Sequence, residues 1–147
     1  MAAPDNPSLS VVDASIVLSW LLPDETPTNE NNQLLLDHRA GRIKLAAPEL
    51  IRIEIANGLL AAILSHRISL QAAGEILAGF ENLMFTMKII WISGQKILET
   101  ASRLGISGYD ASYVALAAAL DAPFYTLDKK LSRKISKFVA VGKLPSD

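Results

Sequence analysis

Short β-prone runs that alternate with helix-patterned stretches predict an α/β fold, specifically a three-layer α/β/α domain around a central parallel sheet. Two further observations support this class. The chain has 147 residues, half of them hydrophobic, which is the size and composition of one ordinary globular domain. Two of the predicted strands run straight into an aspartate, the pattern of an open sheet whose carboxyl edge carries a site.

The elements follow in order. Met1–Ser8 holds two prolines and an aspartate and reads as a flexible tail, leaving 9–147 as a single domain. Leu9–Val12 is a strand ending at Asp13. Ala14–Leu22 is apolar and helix-compatible, and Pro23 stops it. Pro27–Arg39 reads as a second helix closed by Gly41, and Ile43–Ala46 as a brief strand. Pro48 is read as opening the longest helix, through Ser65, because a first-turn proline forfeits no hydrogen bond. Ser69 is the predicted N-cap of the next helix, through Asn82. Lys88–Ile92 is a strand, Gln95–Leu104 a helix ended by Gly105, and Asp110–Leu120 an alanine-rich helix. Phe124–Leu127, Asp128–Ser136 and Phe138–Val141 then read as strand, helix and last strand. Such alternation calls for right-handed crossovers.

Composition excludes several chemistries. There is no cysteine, hence no disulfide, no Cys-ligated zinc and no thiol nucleophile. No apolar run reaches the roughly 18 residues of a membrane span, and the first ten residues lack the basic and apolar regions of a signal peptide. A cytoplasmic location is the expectation. No Gly-rich phosphate loop and no Gly-x-Ser-x-Gly elbow is present. The formal charge of −1 is unevenly spread. Residues 1–128 carry 8 basic and 14 acidic side chains, whereas 129–147 carry 6 basic and one acidic. That basic segment is either a positive edge for a polyanion or a solvated C-terminal helix.

Four carboxylates stand out, each with a structural alternative. Asp13 and Asp128 follow strands, and each is also placed to cap the next helix. Glu54 lies between isoleucines on a helix stripe with Leu50, Asn57 and Ala61, where it is expected to be partly buried; pairing with Arg52 or Arg103 is the alternative. Asp110 opens an apolar helix, where the helix dipole alone would favour it. Taken together they suggest one crevice. Clustered carboxylates repel one another unless a divalent cation neutralises them, and an all-carboxylate set suits magnesium or manganese. His38 and His66 each stand beside an arginine without a ligand-spaced partner and read as surface residues. Trp20 and Trp91 read as core or interface residues.

Val12-Asp13-Ala14-Ser15, the helix containing Glu54-x-x-Asn57, Tyr109-Asp110-Ala111-Ser112-Tyr113-Val114-Ala115-Leu116-Ala117, and Thr126-Leu127-Asp128-x-x-Leu131 occur in this order. Together they resemble the PIN-domain ribonucleases, and most closely the VapC-type toxins of toxin–antitoxin pairs, over about Leu9 to Val141. The resemblance implies metal-dependent RNA hydrolysis that leaves 5′-phosphate and 3′-hydroxyl ends, with Mg²⁺ or Mn²⁺ as cofactor. It implies Asp13, Glu54, Asp110 and Asp128 as catalytic and metal-binding residues, with Ser15, Asn57 and Thr126 as polar support. Lys129, Lys130, Arg133 and Lys134 would hold the RNA backbone, and a tRNA or rRNA loop is the expected substrate. The resemblance also implies a homodimer and a cognate VapB-type antitoxin. Ile16–Leu22 and Leu34–Leu36 either line a groove for an antitoxin helix or, for most of these side chains, simply pack in the core. Two other readings compete: an aspartate-based, magnesium-dependent phosphotransfer or phosphatase domain, and a non-catalytic binding module on the same fold. The dehalogenase form of the first wants an acid two residues after Asp13, where this chain has Ser15.

Overall fold

A computed structural model describes residues 5–142. Half of the predicted tail, Met1–Pro4, and the basic Lys143 lie outside the described residues. Among the described residues there are four strands and seven helices, with a pair of helices after each of the first three strands and one after the fourth. The strands are β1 (Ser8–Val12), β2 (Ile43–Pro48), β3 (Lys88–Ile90) and β4 (Phe124–Tyr125). The helices are α1 (Ala14–Leu21), α2 (Asn29–Arg39), α3 (Ile51–Leu64), α4 (Leu70–Thr86), α5 (Gly94–Leu104), α6 (Gly108–Leu120) and α7 (Lys129–Ile135). The sheet is wholly parallel in the order β3-β2-β1-β4, and the layering is α/β/α.

Strand β1 lies between β2 and β4, and its Val11 and Val12 are both fully buried, as a parallel strand covered on both faces requires. Helix α6 packs on β1, β2 and β4, with α5 outside it. Helices α1, α3 and α4 pack against one another. A β-carbon on Gly58 would run into Leu18, so the glycine lets α3 approach α1 closely. Tyr113 stacks on Phe124 with ring centroids 6.1 Å apart, which fastens α6 to β4.

Several boundaries differ from the sequence reading for definable reasons. Pro48 ends β2 opposite Ile90 instead of opening a helix; its fixed φ suits an extended strand end. Helix α3 therefore starts at Ile51 without a side-chain cap, and α4, with 17 residues, is the longest helix. Ser69 does cap α4, accepting from Ala72 N, but the helix continues past Asn82 to Thr86. The run Phe138–Val141 contributes one bridge, Phe124 to Val141, instead of a strand. Ser107 caps α6, which places Asp110 third in that helix instead of first.

His38 is not a surface residue. It is 8% exposed; its Nδ1 accepts from Leu45 N (3.1 Å) and its Nε2 meets Thr86 Oγ1 (2.8 Å). The ring thus ties α2 to β2 and to the end of α4. His66 is exposed. Trp20 is half-buried and donates to Asn31 O (3.0 Å), whereas Trp91 is exposed. Ile16, Val17, Leu22 and Leu34 are core residues and cannot line an open groove; of the proposed groove, Leu36 is well exposed. Among the described residues no helix is long and apolar enough to cross a membrane.

Candidate active site

The chain leaves β1 for β2 and β3 on one side, then returns to lay β4 on the other. In an open parallel sheet the crevice at such a reversal, outside the carboxyl ends of the strands, is where ligands bind. Asp13 ends β1 there, and Thr126 and Asp128 follow β4.

The two strand ends are laced together. Asp13 Oδ1 accepts from Ser15 Oγ (2.5 Å) and from Ile16 N (3.2 Å), and Asp13 Oδ2 accepts from Thr126 Oγ1 (2.5 Å). The same two hydroxyls reach back to the β4 loop. Ser15 Oγ accepts from Leu127 N (3.0 Å), and Thr126 Oγ1 accepts from Asp128 N (3.1 Å). Asp13 does cap α1 through Oδ1, while Oδ2 reaches across to Thr126 after β4. Burial pushes the Asp13 carboxyl above its ordinary pKa, and the Ser15 and Thr126 hydroxyls oppose that rise. Asp128 likewise caps α7 through Leu131 N (3.0 Å) while remaining exposed.

Glu54 projects from α3 and Asp110 from α6. Burial raises the Glu54 pKa first, a nearby Tyr113 hydroxyl lowers it, and repulsion from Asp13 and Asp110 raises it again. Burial also raises Asp110; a hydrogen bond with the Ser107 side chain lowers it, repulsion from Asp128 raises it, and Lys134 lowers it. The four predicted acids are therefore linked, with Asp13 and Asp110 acting on Glu54 and Asp128 acting on Asp110. No arginine neutralises Glu54: Arg103 lies over the Phe138 ring, 5.1 Å from its centroid, and Arg52 forms no ion pair among the described residues.

The sequence reading did not single out Tyr113 and Ser107. Tyr113 is 2% exposed, and its hydroxyl and Glu54 Oε1 are both buried without a well-formed hydrogen bond among the described residues. They lie near enough that Glu54 helps push the Tyr113 pKa up, after burial. Ser107 stands at the cap position three residues before Asp110, which a later helix start concealed. Asn57, placed beside Glu54 by sequence spacing, is exposed and hydrogen-bonds to none of the acids among the described residues. It lines a cleft of about 380 Å³ with Leu50, Ile53, Glu54 and Tyr109. Lys129, Lys130, Arg133 and Lys134 stand exposed on α7, with Lys134 Nζ donating to Gly105 O (3.2 Å).

Among the described residues no three His, Cys, Asp or Glu side chains are grouped so as to hold a metal ion together. The donor chemistry nonetheless fits a hard divalent cation. The cluster is all oxygen and mutually repelling, and Glu54 Oε1 is buried without a partner. Mg²⁺ commonly keeps several waters and takes one or two carboxylates, so a full protein cage is not required.

Residues 10–136, most of the chain, match the PIN domain family. Ribonuclease VapC9 of Mycobacterium tuberculosis is 35% identical over 122 residues, covering 83% of this chain and 87% of the relative. Among solved structures, PAE2754 of Pyrobaculum aerophilum superposes with a TM-score of 0.68 at 24% identity, over 92% of this chain and 84% of that one. VapBC2 of Rickettsia felis, solved bound to a DNA fragment from its promoter, gives a TM-score of 0.64 at 17% identity, over 90% and 96%. At these identities the two structures bear on the fold alone.

Proposed function

This chain belongs to the PIN-domain family, and from that premise we propose that it is a metal-dependent endoribonuclease acting as the toxin of a toxin–antitoxin pair. The observation that carries the reading is the coupled cluster of Asp13, Glu54, Asp110 and Asp128 at the switch point of the parallel sheet. Relatives that bear ribonuclease names support the reaction.

Asp13, Asp110, Asp128 and Glu54 would hold Mg²⁺ or Mn²⁺. Such an ion supplies Lewis acidity, activating water and offsetting charge on the phosphodiester. Ser15 and Thr126 keep both Asp13 oxygens oriented. Glu54, whose proton affinity is raised, takes the proton of the attacking water. A bond from the water oxygen to phosphorus forms, the bond from phosphorus to the 3′-oxygen breaks, and the departing 3′-oxygen takes a proton from solvent water to give the 3′-hydroxyl. Lys129, Lys130, Arg133 and Lys134 draw the RNA backbone to the crevice. The substrate class is an unstacked tRNA or rRNA loop. A VapB-type antitoxin, a homodimer and a cytoplasmic setting complete the reading.

The phosphotransfer alternative is disfavoured by the PIN match over residues 10–136, and its dehalogenase form by Ser15, which stands two residues after Asp13 where a second acid is wanted. The test is cleavage of purified tRNA and rRNA with Mg²⁺ or Mn²⁺ against EDTA, for wild type, Asp13→Asn and Asp110→Asn. Discrete metal-dependent fragments lost in both variants are expected. Absence of cleavage by folded, metal-supplied protein on every RNA would overturn the proposal.

A further inference from the structure

We propose that the cleft beside Glu54 is a nucleobase subsite, seating one unstacked RNA base next to the reacting phosphate, with Tyr109 as its stacking platform and Asn57 as the group that reads the base edge. This rests on the nuclease reading and extends it to substrate choice.

Tyr109 is 64% exposed and Ile53 57%, so two large apolar surfaces flank the cleft uncovered. The fold leaves most of Tyr109 uncovered, since α6 buries Ala111 to Ala117 but not the tyrosine. Asn57 is exposed and hydrogen-bonds to no side chain among the described residues, so its amide keeps both a donor and an acceptor for a ligand. These are the parts with which proteins hold splayed-out bases: an aromatic face to stack on and a polar side chain for the base edge.

Chain connectivity supplies the register. Tyr109 directly precedes Asp110 on α6, and Asn57 follows Glu54 by one turn of α3. A base held between them is positioned by the same two helices that carry two of the acids. The cleft volume, about 380 Å³, falls near the lower end for small-ligand sites, which suits one base with its sugar and not a helix of a partner protein. Asn57 thereby acquires a role different from the support of the acids that its spacing from Glu54 suggested.

Short RNAs carrying 2-aminopurine beside the scissile position would be titrated, in EDTA to prevent cleavage, into wild type, Tyr109→Ala, Tyr109→Trp and Asn57→Ala. Wild type and Tyr109→Trp should quench the fluorophore by stacking, and Tyr109→Ala should weaken binding about tenfold to a hundredfold. With metal present, Tyr109→Ala should raise KM by a similar factor, and Asn57→Ala should level the rates among RNAs differing in that base. An abasic nucleotide at that position should cost wild type its advantage over Tyr109→Ala. Unchanged binding and base preference in Tyr109→Ala would overturn the subsite, as would loss of antitoxin binding alone. Absence of cleavage by wild type on all RNAs would remove the nuclease reading, while the quenching titration would still decide the subsite.

Discussion

Replacing Thr126 by valine removes a hydroxyl while keeping the shape of a fully buried side chain. That hydroxyl donates to Asp13 Oδ2 (2.5 Å) and accepts from Asp128 N (3.1 Å). A hydrogen bond to a charged acceptor is worth about 1.5–3 kcal/mol, and an orphaned amide costs about 1–3 kcal/mol, least where water can reach it. Asp128 is exposed, so the amide penalty falls at the low end, about 1 kcal/mol, and the expected loss is about 2.5–4 kcal/mol. For a domain of this size that lowers Tm by roughly 5–15 °C. Serine at this position keeps the hydroxyl and loses a methyl group, at about 1 kcal/mol. Thermal unfolding by circular dichroism should therefore rank wild type above Thr126→Ser above Thr126→Val, with RNA cleavage following the same order. The penalty also has a pH sign. Thr126 favours ionised Asp13, so removing it raises an already elevated pKa further. A raised carboxyl pKa means stability is lost as pH rises through it. The valine penalty is thus largest with Asp13 ionised and shrinks in acid. A valine variant as stable as wild type, with the serine variant weaker, would show that methyl packing and not hydrogen bonding holds β4 to β1, and would refute the reasoning.

Glu54 is elevated by burial and, against the effect of Tyr113, by Asp13 and Asp110, so its charge costs stability above its folded pKa; Glu54→Gln should melt higher than wild type at neutral pH, lose cleavage, and lose its advantage in acid. His38 accepts from Leu45 N as a neutral ring, and burial, then Lys44 and Arg39 against a backbone bond at Ile43, lowers its pKa. A depressed histidine pKa gives stability that is present above about 6.5 and lost as pH falls through the folded value. Wild type should soften in that window, whereas His38→Ala should start about 2 kcal/mol weaker from the orphaned amide and show a flatter response in urea unfolding at several pH values. Removing two α7 charges, Lys130→Gln with Arg133→Gln, should reduce the salt slope of RNA binding by about 1.4, at about 0.7 per phosphate contact; an unchanged slope would move the RNA path off α7.

The legible parts were those set by neighbours in sequence. Asp13 and Asp128 could be placed because each directly follows a β-prone run, and a parallel sheet puts such positions on one edge. The four acids could be collected because an apolar context makes an isolated carboxylate conspicuous. What failed depended on partners remote in the chain. His38 looks superficial beside Arg39, and its burial comes from Leu45 on β2 and Thr86 at the end of α4. Pro48 is as acceptable at a helix start as at a strand end, and only pairing of β2 with β3 decides it. Glu54 and Asn57 share a helix stripe, yet three residues leave about 60° between them, enough to turn one inward and the other to solvent. The Ser107 cap was masked by reading Asp110 as the first helical residue. Tyr113 sits in the same motif as Asp110, but nothing short of the packed structure brings its hydroxyl beside Glu54.

Whether the acids around the β1 and β4 ends form a site for a divalent cation is decided by an anomalous difference map from crystals soaked in Mn²⁺. A peak among Asp13, Glu54, Asp110 and Asp128 that disappears in Asp13→Asn crystals is expected. A peak elsewhere, or none, in crystals of protein that still cleaves RNA would contradict it.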